Sequence, residues 1–184
     1  MAQQKKTVKK SFFEVKAPIT STKIYLYGAS PEALNGKVVS LDLTRSLRGK
    51  SLELKMKVVV NGSELSAEPV SLELMGSYIR RMIRNGIDYV EDSFITEAKD
   101  SKVIIKPFMI TRNKVSRAVR RELRNLAKSH LESYLKNRSV KELFTEITTN
   151  KIQKELSLKL KKIYPLALCE IRFFKIIEPP VEIK

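Results

Sequence analysis

The chain has no tryptophan, a single cysteine (Cys169) and a single histidine (His130) among 184 residues. A lone thiol cannot pair within the chain, so no internal disulfide can staple the fold, and a reducing, intracellular setting is the expectation. One histidine and one cysteine supply neither a metal-ligand cluster nor a nucleophile with its base, so neither enzymatic activity nor a metal site is expected. The glycines, Gly28, Gly36, Gly49, Gly62, Gly76 and Gly86, form no phosphate loop or dinucleotide fingerprint, which leaves no cofactor implied. No run of about 18 apolar residues is present to span a bilayer. The stretch Met1 to Lys10 is polar and lysine-rich, without the apolar segment of a signal peptide.

What the sequence has in excess is positive charge. Lys and Arg number 36 against 20 Asp and Glu, a formal charge of +16 and a pI near 9.9. A hydrophobic fraction of 42% is enough for a core, so this is no disordered basic chain. A folded protein keeps such an excess for a polyanionic partner, nucleic acid first and an anionic membrane surface second. The membrane reading is the weaker, because the most basic helix has no Trp or Phe on its apolar side.

Residues 1–10 hold too little apolar surface to order alone and read as a flexible basic tail carrying Lys5, Lys6, Lys9 and Lys10. A single globular domain is expected over 11–178, with a short C-terminal tail at 179–184 after Pro179. The first strand begins at Ser11 with Phe12, Phe13 and Val15, and Pro18 and Thr20 to Thr22 mark a loop. Asn35-Gly36 precedes a strand from Lys37 to Leu43. In Ser51 to Val60, Leu52, Leu54, Met56, Val58 and Val60 alternate with mostly polar neighbours, one face for the core. Asn61-Gly62 is a hairpin dipeptide, and Val70, Leu72 and Leu74 resume the period of two after Pro69. Tyr78, Ile79, Met82 and Ile83 have helical spacing, with Asn85-Gly86 as the expected C-cap. Strands at Ile87 to Thr96 and Lys102 to Thr111 follow.

From Lys114 to about Asn137 the period is helical, and Val115, Val119, Leu123, Leu126 and His130 fall within an arc of about 80°, the expected buried stripe. His130 on that stripe reads as a hydrogen-bonded core or edge residue, and Cys169 in an apolar strand as a small hydrophobe. Ser139 with Glu142 is a capping box for a helix holding Leu143, Phe144 and Ile147. Asn150 is placed to cap another, with Ile152, Leu156, Leu160 and Ile163, which Pro165 stops before a last strand from Leu166 to Ile177. Strands first, helices after and one closing strand give an α+β protein: a curled antiparallel sheet or barrel-like core packed by helices.

The basic residues are clustered. Between Arg112 and Lys128 stand Arg112, Lys114, Arg117, Arg120, Arg121, Arg124 and Lys128 against one acid, Glu122. On a helical wheel Arg117, Arg120, Arg121, Arg124 and Lys128 share an arc of about 100° opposite the apolar stripe. Like charges at i,i+4 repel, so a comb of this kind is expected to meet an anion, and arginine's planar fork suits phosphate. Two lesser groups are Arg45, Arg48 and Lys50 around Gly49, and Arg80, Arg81 and Arg84. None is paired in sequence with the motifs of base readout, so recognition by shape and backbone is expected.

The stretch Lys106-Pro-Phe-Met-Ile-Thr-Arg-Asn-Lys-Val-Ser-Arg117, the segment Lys161-Lys-Ile-Tyr-Pro-Leu166 with Glu170-Ile-Arg172, and Gly76-Ser-Tyr-Ile-Arg-Arg-Met-Ile-Arg-Asn-Gly86 together resemble the archaeal and eukaryotic small-subunit ribosomal protein family numbered one in the universal scheme, formerly three-A-e. The likeness runs from about Lys10 to Ile177 and includes Lys16-Ala-Pro18. Ser11-Phe-Phe13 departs from the Lys-Trp-Tyr common in members, and Ala167 stands where arginine is common. The end at Lys184 suggests the shorter, archaeal type. The resemblance implies a β-barrel-like core with flanking helices on the small-subunit platform near the messenger exit. Its implied partners are the 3′ region of the small-subunit RNA and neighbouring ribosomal proteins, with messenger RNA near the exit a candidate, all in the cytoplasm. The rival reading is a free RNA-binding translation or assembly factor built on the same helix.

Overall fold

The structure is a computed structural model that describes residues 9–20, 22–47, 49–61 and 64–177. Lys5, Lys6, Arg48, Gly62 and the 179–184 tail lie outside the described residues. In chain order the elements are β1 (Ser11–Val15), β2 (Ile24–Gly28), a 3-10 turn (Glu32–Leu34), β3 (Val38–Asp42), β4 (Leu52–Asn61), β5 (Glu64–Leu74), α1 (Gly76–Met82), β6 (Tyr89–Glu91), β7 (Phe94–Glu97), β8 (Lys102–Thr111), α2 (Arg117–Lys136), α3 (Val140–Thr148), α4 (Lys151–Leu160) and β9 (Leu166–Ile176). The fold is α+β, as the element pattern predicts. The barrel-like part of that expectation is not what is seen: β1 pairs β2 separately, and the larger sheet runs β3-β4-β5-β9-β8-β6, with β7 also on β8, without closing on itself among the described residues.

Contacts divide the chain into two compact units, one within Met1–Ser40 and Lys55–Pro69, the other within Leu41–Leu54 and Val70–Lys184. In the first unit β1 and β2 are antiparallel, with Phe12 opposite Tyr27, Glu14 opposite Tyr25 and Val15 opposite Ile24. Opposite residues share a face, so one face carries Val15, Ile24 and Gly28, all buried, and the other Phe12, Glu14, Tyr25 and Tyr27, all exposed. A Cβ at Gly28 would stand 2.9 Å from Leu34 Cδ2, so a larger residue there would make the Leu34 side chain of the 3-10 turn shift. The end of β1 joins β5 through Lys16 N–H to the Leu65 carbonyl and Ala67 N–H to the Lys16 carbonyl, each 2.9 Å. β2 was not foreseen in the sequence.

In the second unit β8 pairs β9 along its length on one side and β6 and β7 on the other. The expected single strand Ile87 to Thr96 is broken into β6 and β7 at Asp92 and Ser93. The break faces Pro107, which has no N–H for a ladder and coincides with the register shift between β8 and β9. The helices cover the sheet: α2 packs on β6 and β7, α4 on β9, and α4 also on α2 and α3. Phe144 of α3 meets Phe174 of β9 edge to face at 5.0 Å between ring centres. Leu143, Phe144, Ile147, Ile152, Leu156, Leu160, Ile171 and Phe174 are fully buried in this unit, each worth about 1.5–3 kcal/mol of transfer free energy.

The β4 alternation holds as far as Val58, with Leu52, Leu54, Met56 and Val58 fully buried, while Val60 is half-buried. The capping box holds too: Ser139 Oγ accepts from the Glu142 N–H, and the Glu142 carboxylate accepts from the Ser139 N–H. Four details differ from expectation. Pro69 lies within β5, not before it. α1 ends at Met82, and Asn85-Gly86 belongs to a separate turn with Gly86 at φ +89. Asn150 precedes α4 but sits in the left-handed region at φ 60, and its side chain does not cap. The buried row of α2 is Leu123, Ala127, Leu131 and Leu135; Val115 precedes the helix, and Val119, Leu126 and His130 are half-buried.

Candidate nucleic-acid interface

The start of α2 is fixed from two directions. Ser116 caps it, its hydroxyl accepting from the Val119 N–H. Ahead of the cap, Asp88 Oδ2 accepts from the Val115 N–H at 2.9 Å. Fully buried Thr111 accepts from the Asp88 N–H at 3.1 Å and bonds the Asp88 and Asn113 carbonyls at 2.8 Å. This clamp ties the entry of β6 to the exit of β8 and to the first turn of α2.

The result is a recess of about 490 Å³ lined by Tyr89 and Val90 of β6 and by Arg117, Arg120, Arg121, Arg124 and Asn125 of α2. No acid lines it. Arg117, Arg121 and Arg124 are exposed, while Arg120 is half-buried and its Nε has no hydrogen-bond partner. Helical spacing explains this: in the first turn Arg120 occupies the row that Leu123, Ala127, Leu131 and Leu135 continue. A guanidinium therefore points where the apolar row would otherwise run. An N–H on a charged group is costly to bury without an acceptor, and either a water or an oxyanion in the recess satisfies it. Tyr89 and Asn125 escaped the sequence reading, because only the β6–α2 packing brings Tyr89 beside the arginines.

The other basic residues are dispersed. Arg112 and Lys114 are exposed in the link before α2. Lys128 leaves the comb: its ammonium lies 4.0 Å from Glu132 and 5.9 Å from the Phe94 ring centre. Arg45 is exposed in a turn, and Arg80, Arg81 and Arg84 are exposed on and after α1, with Arg81 over the Tyr78 ring at 5.7 Å. Lys9 and Lys10 are exposed before β1. Lys50 is not a surface cation: it is 8% exposed, with its ammonium 2.5 Å from Glu170 and 2.6 Å from Asn150 Oδ1.

His130 lies 5.9 Å from the Tyr134 ring, its Nδ1 unpartnered. Burial first, then the Lys159 charge, hold its pKa below the ordinary value against the smaller pull of Glu155. Burial, reinforced by Glu170, pushes the Cys169 thiol up to about 12. Among the described residues no group of three or more His, Cys, Asp or Glu side chains is arranged to hold a metal ion. No helix there is long and apolar enough to cross a membrane.

Fold and site define a basic α+β protein with a guanidinium-lined recess beside one helix. The sequence matches the Ribosomal S3Ae family over residues 2–180, and the chain belongs to that family. It is 30% identical over 141 residues to small ribosomal subunit protein eS1 of Methanothermobacter thermautotrophicus, covering 76% of this chain and 72% of that one. The eS1 proteins of Nanoarchaeum equitans and Sulfurisphaera tokodaii are each 27% identical, the first over 90% of this chain and 88% of its own length, the second over 93% of both. Membership makes the chain a small-subunit ribosomal protein, a structural component and not an enzyme.

Proposed function

We propose that the chain binds the small-subunit ribosomal RNA through phosphate contacts centred on α2, as a single domain of the cytoplasmic ribosome. Arg117, Arg120, Arg121 and Arg124 are the principal contacts, with Arg112, Lys114 and Lys128 beside them. Arg45, Arg48, Arg80, Arg81, Arg84 and the lysines Lys5, Lys6, Lys9 and Lys10 add peripheral charge. The observation that carries this reading is the acid-free recess with the unpartnered Arg120 Nε. Arginine forks converging on one opening match a phosphate, and Asn125 alone offers little for reading bases.

The family resemblance supports a finer placement, on the platform near the messenger exit against the 3′ region of the RNA, beside neighbouring proteins and messenger RNA. Sucrose-gradient sedimentation tests the core of the proposal. The chain is expected to travel with small subunits in low and high salt, and a variant with Arg117, Arg120, Arg121 and Arg124 replaced by Gln to dissociate at lower salt. A wild-type pool at the top of the gradient in both salts would instead identify a free factor.

A further inference from the structure

We propose that the outer face of the β1–β2 ribbon is a stacking platform for unpaired RNA bases, a second mode of contact distinct from the phosphate recess of α2. Antiparallel register puts Phe12, Tyr25 and Tyr27 on one face. They are 72%, 58% and 56% exposed, among the most exposed large hydrophobic side chains in the described chain. Aromatic surface clustered in water on one face marks a binding surface, where scattered single residues would not. Phe12 and Tyr27 already meet with ring centres 5.0 Å apart and planes at 47°, so these two rings form a continuous surface.

The charge around this face selects the occupant. Lys10 places its ammonium 5.9 Å from the Tyr27 ring centre, with Lys9 exposed next to it. The one acid on the face, Glu14, is neutralised by Lys23 at 3.0 Å. Aromatic rings with one lysine over Tyr27, a second next to it in sequence and the carboxylate paired off suit a strand whose bases are splayed and whose phosphates lie alongside. Every base has a π-face, so such a platform tolerates sequence and prefers single strands over duplex, whose bases are stacked on each other. An apolar protein segment would fill the rings but leave the lysines without an anion.

The inference rests on the reading that RNA is the partner, and the test separates the two. Fluorescence anisotropy of the full chain is measured with a labelled oligouridylate and with a fully paired RNA duplex, for wild type, Phe12→Thr, Tyr27→Thr, Tyr27→Phe and Arg121→Gln. Thr is a good strand former, and both positions are exposed, so the fold is expected to survive; unchanged thermal melting checks it. Each Thr variant is expected to weaken oligouridylate binding by about tenfold, to leave duplex binding unchanged, and to be contrasted by full retention in Tyr27→Phe. In wild type, oligouridylate is expected to shift the Phe12, Tyr25 and Tyr27 ring protons upfield. If the Thr variants bind both RNAs like wild type while Arg121→Gln weakens both, the platform is wrong and the α2 reading stands. If wild type binds neither RNA, both readings fall.

Discussion

Lys50 and Glu170, 120 residues apart, meet at 2.5 Å with side-chain exposures of 9% and 11%. The pair joins the turn before β4 to β9, and Lys50 also holds the Oδ1 of Asn150, which is why that asparagine does not cap α4. The two charges need each other more than the fold needs them, because a buried ion pair barely repays its own desolvation.

Replacing one partner therefore costs more than replacing both. Glu170→Gln, which strands the Lys50 ammonium, is expected to lose about 3–5 kcal/mol of stability in urea unfolding, whereas Lys50→Met with Glu170→Leu recovers most of it. A single variant as stable as wild type would show the pair to be solvated in solution.

His130 is the one histidine, so its resonance and its share of the pH dependence are separable. Burial and Lys159 favour the neutral ring in the folded protein. A folded-state pKa below the unfolded value of about 6.5 means the unfolded chain binds more protons near that pH. Its contribution is fully present above the unfolded pKa and lost as pH falls through the folded one. The melting temperature of wild type is expected to drop more than that of His130→Asn across this window, with RNA affinity of the two nearly equal at neutral pH. Equal pH slopes would contradict the placement.

Cys169, with its thiol pushed up to about 12, carries almost no thiolate under mildly alkaline conditions, and the thiolate is the nucleophile. An aromatic disulfide reagent is expected to label it at least about a hundredfold faster in urea than in the native protein. Rapid native labelling would place the thiol in water.

Much of this was legible in the sequence because local rules and tertiary packing agree. The alternation of Leu52 to Val58, the Ser139–Glu142 box and the strand-then-helix order all read directly. The turn of α2 about its axis did not. A wheel begun at Lys114 includes Val115, but Ser116 caps the helix and Asp88 takes the Val115 N–H, and the face that is buried was chosen by β7 and α4. The same rotation moved Arg120 into the recess and Lys128 away from it. Lys50 was misread because a lysine beside Gly49 looks exposed until a carboxylate 120 residues on is known to face it. The aromatic face of the ribbon depends on β2 and on register, neither of which Phe12 reveals alone.

The most direct test of the α2 interface is a salt series for wild type and Arg121→Gln on cognate ribosomal RNA and on unrelated structured RNA. If Arg121 contacts phosphate, the variant weakens binding to both RNAs by similar factors and lowers the slope of log affinity against log salt by about one, through the counterion no longer released. An unchanged slope, or a loss confined to the cognate RNA, would contradict the phosphate role assigned to this helix.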